Sequence, residues 1–409
     1  MTSLTTSRGQ TPRTRTGVLA EALARPLADY YLVLVSTTLL LGLGVLMVLS
    51  SSSLYSVSLG NSPYSIAIKQ AVFLVAGVPI AGWLSRRSER TLQSLAVWAF
   101  GLSLVLLLLT SLTPLGLDIK GHKNWLRLGP VQLQPSEFAK FALVLILARV
   151  VSAKRKVLDR PREILPAFLA FFLIIGLVLV GKDVGTAVVI AGLFMAVLWI
   201  VGIQGRLLML MLVGAGLAFA GLIIASPNRM TRVFSFLGTS QDVGASQQPL
   251  SAIYGLASGG WWGVGLGASR QKWGALADGA QNDFVFAVLG EELGLVGVIA
   301  VILLFAVLTW AGFRIALKSQ TLFLRTLAGG CTSWFALQAL VNIGMVMRLL
   351  PVIGVPLPFI SAGGSALLSA MMAVGVLLAA ARAEPSAARA LAERRGIRPP
   401  RVTTVVDGR

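Results

Sequence analysis

The sequence predicts an all-α polytopic membrane protein of about ten transmembrane helices. Both termini are expected to be cytoplasmic, with a large extracytoplasmic loop between helices 7 and 8. Three observations carry this. Of 409 residues, 56% are hydrophobic and the mean hydropathy is +0.82, a balance that would leave large apolar surfaces against water in a soluble domain. The apolar residues fall into ten runs, most near the roughly 20 residues a helix needs to cross a bilayer. The basic residues gather in alternate connections between those runs, as they do in cytoplasmic loops.

In chain order, residues 1–29 are polar and basic (Arg8, Arg13, Arg15, Arg25), and read as a disordered cytoplasmic tail without the pattern of a cleavable signal. The ten runs lie at about 31–50, 66–84, 92–112, 136–152, 164–181, 183–202, 207–225, 284–313, 325–347 and 359–381. The eighth is longer than a bilayer requires and is expected to tilt or to extend out of it. With the N-terminus inside, the inner connections "SRRSER" and "ARVVSAKRKVLDRPRE" and the tail from Arg382 hold much of the chain's stock of 35 Lys and Arg. Residues 30–382 then form the membrane domain and 383–409 a basic cytoplasmic tail (Arg389, Arg394, Arg395, Arg398, Arg401), read as solvated.

The net charge of +19 would suit a nucleic-acid binder, but the bias of the inner loops accounts for it, and no nucleic-acid partner is expected. A single cysteine, Cys331, excludes an intrachain disulfide, and the lone His122 excludes a site built from several histidines. On the outer side, 51–65 and 181–183 are short, whereas 113–135 and 226–283 are long and dense in Gly, Trp and charge. A connection as long as 226–283 is usually functional or disordered. Its stretch "SGGWWGVGLGASRQKWG" argues against plain disorder, and most of its Trp residues read as interfacial anchors. No repeat relates the two halves.

Five constellations could carry chemistry. In "DIKGHKNWLRLGPVQLQPSEFAK", Lys120, Lys123 and Arg127 lie outside, while Glu137 and Lys140 open the fourth span three residues apart, on one helix face. They either pair to anchor a helix end or help bind an anionic headgroup. In "GKDVGT", Asp183 reads as an N-cap beside Lys182, compatible with the same outer cavity. In "RMTR", Arg229 and Arg232 share a face and either snorkel or clamp a phosphate. In "GALADGAQNDFVFAVLGEELG", Asp283 stands where loop meets span, as a cap or as a partly desolvated general base. Asp278 lies in the loop, and Glu291 and Glu292 lie deeper, needing partners for which Lys140 and Arg348 are candidates. The fifth, "PVIGVPLPFISAGGSALLSAM", is irregular backbone that membrane depth tolerates only under protein or beside a cavity. "GVGLG" and "SAGGS" are weak as nucleotide cradles, since no strand precedes them.

Together these stretches resemble the SEDS family (shape, elongation, division and sporulation), and within it the FtsW branch. The resemblance covers about 30–382 and rests on "LGPVQLQPSEFAK", "DVGTAV", "SGGWWGVGLGASRQKWG", "NDFVFAVLGEELGLVG" and "NIGMVMRLLPVIGVPLPFISAGGS", in that order. It implies a ten-helix polymerase that joins lipid II, an undecaprenyl-pyrophosphate-linked disaccharide-pentapeptide, into glycan strands outside the membrane at the division septum. Its implied partners are the nascent strand, a class B penicillin-binding protein and other divisome membrane proteins. The family's essential aspartate aligns with Asp283, which would take the proton of the acceptor 4-hydroxyl in an inverting transfer. Lys123, Arg127, Lys140, Arg229 and Arg232 would steady the leaving pyrophosphate. Glu137, Asp183, Gln248 and Ser361 complete the implied substrate-binding set. No cofactor is specified; a divalent cation (Mg or Mn) could assist, but no His or Cys cluster marks a site for one. The sequence departs from the family pattern at Gln281, Asp278, Asn124 and Arg348.

A lipid II flippase, an elongation (RodA-like) polymerase and a non-catalytic scaffold stand as alternatives. An alternating-access transporter should place charge near the bilayer midplane between repeats. Here the charge gathers at outer helix ends.

Overall fold

The computed structural model describes residues 21, 23, 25–119, 121–129, 131–153, 164–237, 243–277 and 279–394. The readings of residues 1–20, Lys120, Asp278 and the tail beyond Arg394 lie outside these residues. Ten main helices coincide with the ten apolar runs: α1 Ala28–Ser58, α2 Ser65–Leu84, α3 Glu89–Leu112, α4 Pro135–Ala153, α5 Leu165–Val180, α6 Val184–Val201, α7 Gly205–Ile224, α10 Val285–Lys318, α11 Leu322–Val346 and α12 Gly364–Arg382. Two further helices, α8 Pro227–Leu237 and α9 Val243–Ser258, fill much of the long loop, and α13 Pro385–Arg394 follows the last main helix.

Seven of the described helices (α1, α2, α3, α6, α7, α10 and α12) are long and apolar enough to cross a membrane on their own composition. α4 and α11 carry more polar residues, yet they are among the most buried helices, so neighbouring protein covers Glu137, Lys140, Gln338 and Asn342. α11 packs against α10, α6 and α4, and α12 lies along α2. The α2–α12 contact is close because small residues face it: a Cβ on Gly375 would stand 2.7 Å from the Ala81 carbonyl oxygen. Without water to drive association, such close packing is what holds membrane helices together.

One outer connection departs from the all-helical expectation. Residues 116–133 form a three-stranded antiparallel meander, β1 Gly116–Ile119, β2 His122–Leu128 and β3 Val131–Leu133. The two-residue connection from β1 to β2 passes through Gly121 (φ +80°), where the positive φ suits glycine.

The length of the eighth run has a specific cause. α10 breaks at Gly294, whose φ of 68° and ψ of −167° are not helical. The backbone of the "GGWWG" stretch inserts at the break. Val264 and Gly265 N–H donate to the Glu291 and Glu292 carbonyls (2.9 and 3.1 Å), while Leu295 and Val296 N–H donate to the Gly260 and Trp261 carbonyls (2.9 and 3.2 Å). These are the groups whose helical partners the break removes, so the loop satisfies what would otherwise be buried orphans. The approach needs glycine on both sides. A Cβ on Gly263 would fall 2.1 Å from the Glu292 carbonyl oxygen, and one on Gly294 would fall 2.4 Å from Gly263 N.

Glu291 and Glu292 serve the same junction. Glu291 accepts from Ser269 Oγ and from the Arg270 and Gln271 amides. Glu292 pairs with Lys272 Nζ at 2.9 Å and accepts from Ser50 Oγ at 2.7 Å. Their partners are therefore the loop's own "SRQK" and α1, not Lys140 or Arg348. Sequence reasoning assumed that charge buried in a helix pairs with another helix, whereas the loop folds down onto α10.

At the opposite end, Asp29 of α1 pairs with Arg314 and Lys318 of α10, and Lys318 Nζ lies 3.8 Å from the Glu384 carboxylate. Glu384 sits just beyond α12, and its pKa is pushed up to about 7: burial raises it first, Lys318 and Arg314 oppose, and Asp29 adds to the rise. A carboxyl raised above its unfolded value stabilises the fold at low pH. That contribution is lost as pH climbs from about 4.5 through about 7. Thermal stability of the purified protein is thus expected to decline across this window, and Glu384→Gln is expected to flatten the decline. An unchanged pH profile in the variant would show that Glu384 is not its source.

Candidate functional site

Asp283 closes the long loop one residue before Phe284, the N-cap of α10. Three consecutive carbonyls hold its backbone in place. Asn342 Nδ2 of α11 donates to the Asp283 carbonyl at 2.9 Å, Ser361 Oγ to that of Asn282 at 2.6 Å, and Ala362 N–H to that of Gln281 at 2.8 Å. Asn342 Nδ2 also donates to the Val355 carbonyl (2.7 Å) and Ser361 Oγ accepts from Leu357 N–H (2.8 Å). The irregular segment before α12, the loop and α11 are thereby stapled into one surface. The Asp283 side chain is half-buried. One of its oxygens faces Gly354 (φ +73°), where a Cβ would come to 3.5 Å.

Beside this surface, Arg232 of α8 and Arg348 line one cleft with Ser235, Pro249, Pro351 and Val352, the last two shortly before Gly354. Arg348 adopts a left-handed φ of 54°, costly for a residue with a Cβ. Gln248 of α9, half-buried, directly precedes Pro249. Arg229 turns elsewhere. Its guanidinium donates to the Leu222 carbonyl at 3.0 Å and to the Lys182 carbonyl at 3.3 Å, and the His122 ring nitrogen lies 2.9 Å from the latter. The two arginines of "RMTR" therefore engage different neighbours, and the second guanidinium beside Arg232 is that of Arg348.

The sheet and Asp183 form a third group. Asp183 caps α6 through Thr186 N–H (3.0 Å) and accepts from Thr186 Oγ1, Asn124 Nδ2 and Gln134 Nε2 within 3.2 Å. Gln134 N–H donates to Ser365 Oγ at 2.9 Å, linking the sheet to α12. Lys123 lines a small cleft with Asn124, Ser136 and Asp183 against α3 and α5, while Arg127 is exposed on β2.

Glu137 and Lys140 are sealed inside. Lys140 Nζ donates to Glu137 Oε1 and Gln338 Oε1, both at 2.8 Å, and lies 5.1 Å from the centre of the Trp334 ring. Trp334 Nε1 and Gln338 complete the network, Gln338 Nε2 donating to the Pro356 carbonyl at 2.8 Å. The second Glu137 oxygen, Oε2, has no hydrogen-bond partner among the described residues. Glu137 lines a narrow cleft with Trp334, Pro358, Phe359 and Ser361. So the structure joins Ser361 to the carbonyl of Asn282, next to Asp283, and brings Glu137 and Ser361 to one cleft. Arg232 stands over the stretch leading to Gly354. Lys123 and Arg127 belong to the neighbouring sheet and Asp183 to the α5–α6 turn, where Arg229 of α8 reaches the Lys182 carbonyl.

Sequence reasoning passed over Asn342, Gln338 and Gly354. The first two carried a readable signal, since an amide inside an apolar span must find partners in the bundle. Gly354 carried none, because its role depends on Asp283, far away in sequence. Chemically, the surface presents a carboxylate on a positioned backbone, and the cleft ending at Pro351 and Val352 carries two guanidiniums, groups suited to accepting a proton and to holding an anion.

A family model described as cell cycle protein (FtsW, RodA, SpoVE) matches residues 31–385. Stage V sporulation protein E of Bacillus subtilis is 35% identical over 354 residues, 86% of this chain and 96% of that protein. The probable peptidoglycan glycosyltransferase FtsW of Mycobacterium tuberculosis is 36% identical over 383 residues, 93% of this chain and 72% of that protein. Among solved structures, a chain of a peptidoglycan synthase complex that coordinates polymerization and crosslinking superposes with a TM-score of 0.70 at 28% identity, covering 89% of this chain and 99% of that one.

Proposed function

Because this chain belongs to the FtsW/RodA/SpoVE (SEDS) family, we propose that it is a peptidoglycan glycosyltransferase of cell division. It polymerises lipid II into glycan strands on the outer face of the cytoplasmic membrane, at the septum. The single observation that supports a catalytic surface is the positioned Asp283, its flanking carbonyls held by Asn342, Ser361 and Ala362.

In this reading the 4-hydroxyl of the acceptor sugar attacks the anomeric carbon of the donor strand. A carbon–oxygen bond to the sugar forms as the bond to the diphosphate oxygen breaks, inverting the centre. The hydroxyl proton passes to Asp283, and undecaprenyl diphosphate leaves with the electron pair. Arg232 would steady the departing charge, with Arg348 lining the same cleft. Glu137, Gln248 and Ser361 would shape the approach, and Lys123, Arg127, Lys140, Asp183 and Arg229 would support it from the sheet and bundle. Among the described residues no three His, Cys, Asp or Glu side chains come together as a metal cage. A Mg or Mn ion would draw ligands from the diphosphate's own oxygens and would help neutralise the leaving charge.

A class B penicillin-binding protein is the expected partner, crosslinking the strands as they emerge, together with other divisome membrane proteins. The purified chain with that partner, given lipid II, is expected to release glycan strands longer than the input disaccharide, read by gel after removal of the lipid. Transfer of lipid II across vesicles without any polymer would favour the flippase reading instead. Localisation of a tagged copy at midcell rather than along the sidewall separates the division branch from the elongation branch.

A further inference from the structure

The bundle carries a further cleft at the end remote from Asp283. α12 starts next to the Ser361–Ala362 staple and runs 19 residues, about 28 Å at 1.5 Å per residue, close to the hydrocarbon thickness of a bilayer. Where it ends, a cleft with about 840 Å³ of empty space, its open mouth included, lies among the α2–α3 turn, the end of α12 and α13. Arg86, Arg87 and Arg382 rim it, and Leu92, Leu324 and Leu391 supply apolar wall.

The charge there is unbalanced. None of the three arginines makes an ion pair among the described residues. Arg87 stacks on Trp83, its guanidinium carbon 4.0 Å from the ring centre. The one carboxylate at the cleft, Glu89, is already engaged by Gln93 Nε2 at 3.1 Å and Thr321 Oγ1 at 3.0 Å. Arg86 and Arg87 lie exposed in the α2–α3 turn and Arg382 is half-buried; topology alone asks only for basic residues in the inner loops, whereas these three converge on one cavity. Guanidiniums over an apolar wall, at the depth of a membrane boundary, match an amphiphile with a phosphate head and a hydrocarbon tail.

We propose that this cleft binds an anionic phospholipid of the cytoplasmic leaflet. Arg86, Arg87 and Arg382 hold the phosphate, and an acyl chain runs along Leu92, Leu324 and Leu391. The amphipathic α13, which contributes Ala388, Leu391 and Ala392, closes one side of the cleft. The site is separate from the glycan chemistry and does not depend on the function proposed above.

The full chain, reconstituted in phosphatidylcholine nanodiscs and titrated with phosphatidylglycerol, gives the test, with retained lipid counted by native mass spectrometry. Each basic residue near a membrane surface contributes about fivefold in affinity for anionic lipid. Arg86→Gln/Arg382→Gln is therefore expected to weaken retention by at least about tenfold, while leaving the unfolding temperature in pure phosphatidylcholine unchanged. Ala388→Trp, which fills the cleft without altering charge, is expected to displace the lipid as well, and decides the matter if the double variant is unstable. Equal retention of phosphatidylglycerol in wild type and Ala388→Trp would overturn the proposal. So would competition by millimolar inorganic phosphate as effective as that by the lipid, since the site would then hold a free anion.

Discussion

Asp283→Asn is expected to reduce glycan polymerisation by the complex with its penicillin-binding partner by about 10²–10⁴-fold, the usual worth of a positioned general base. The amide is close to isosteric but cannot take the hydroxyl proton. The contacts that place this residue run through backbone carbonyls, those of Gln281, Asn282 and Asp283 itself, and they survive the substitution. Assembly with the partner and binding of lipid II should therefore be retained, with the loss falling in kcat. Polymerisation at the wild-type rate would remove Asp283 from the chemistry. A loss that fell wholly in KM would make it a binding residue instead.

The second large effect is structural. Glu292→Gln is expected to destabilise the protein by about 3–5 kcal/mol, because it leaves the Lys272 ammonium buried without its counter-charge. Both side chains are almost wholly covered, at 0% and 3% exposure. The remaining Lys272 acceptors, the Gly267 carbonyl at 2.8 Å, Ser50 Oγ at 3.1 Å and the Ser50 carbonyl at 3.4 Å, are neutral. Hydrogen exchange should then speed up first in 259–273, where the loop is bonded to α10. Combining Glu292→Leu with Lys272→Met should recover much of the loss, since an apolar pair often matches a buried ion pair in stability. If Glu292→Gln alone left both exchange and unfolding temperature unchanged, the pair would have no structural weight.

The helices were legible because each depends on composition over some twenty neighbouring residues, and Asp183 was legible as a cap because capping is local. The break in α10 was not. A glycine inside an apolar run is common in membrane helices, and what makes Gly294 a break is the "GGWWG" backbone arriving from 30 residues earlier. The same distance hid the partners of Glu291 and Glu292. Spacing put Arg229 and Arg232 on one face of α8, yet could not show that carbonyls at Leu222 and Lys182 would draw one away and the Arg348 cleft would take the other. The sheet at 116–133 was missed because its strands are short and carry little alternation. For Asp283, the place between polar loop and apolar helix left cap and base open alike, and the family resemblance singled it out. Its neighbours Asn342 and Gly354 emerge only in three dimensions.

The break in α10 also divides the helix mechanically. Between Gly294 and Asp283 lies a short buried strut, roughly 15 Å long at 1.5 Å per residue, with every residue from Val285 to Glu292 covered. One end is welded to the loop by four backbone hydrogen bonds, and Trp261 and Trp262 stand out of that weld with 67% and 83% of their surfaces exposed. A strut packed this closely transmits displacement rather than absorbing it. A protein that grips those two indoles holds a lever whose far end is the carboxylate.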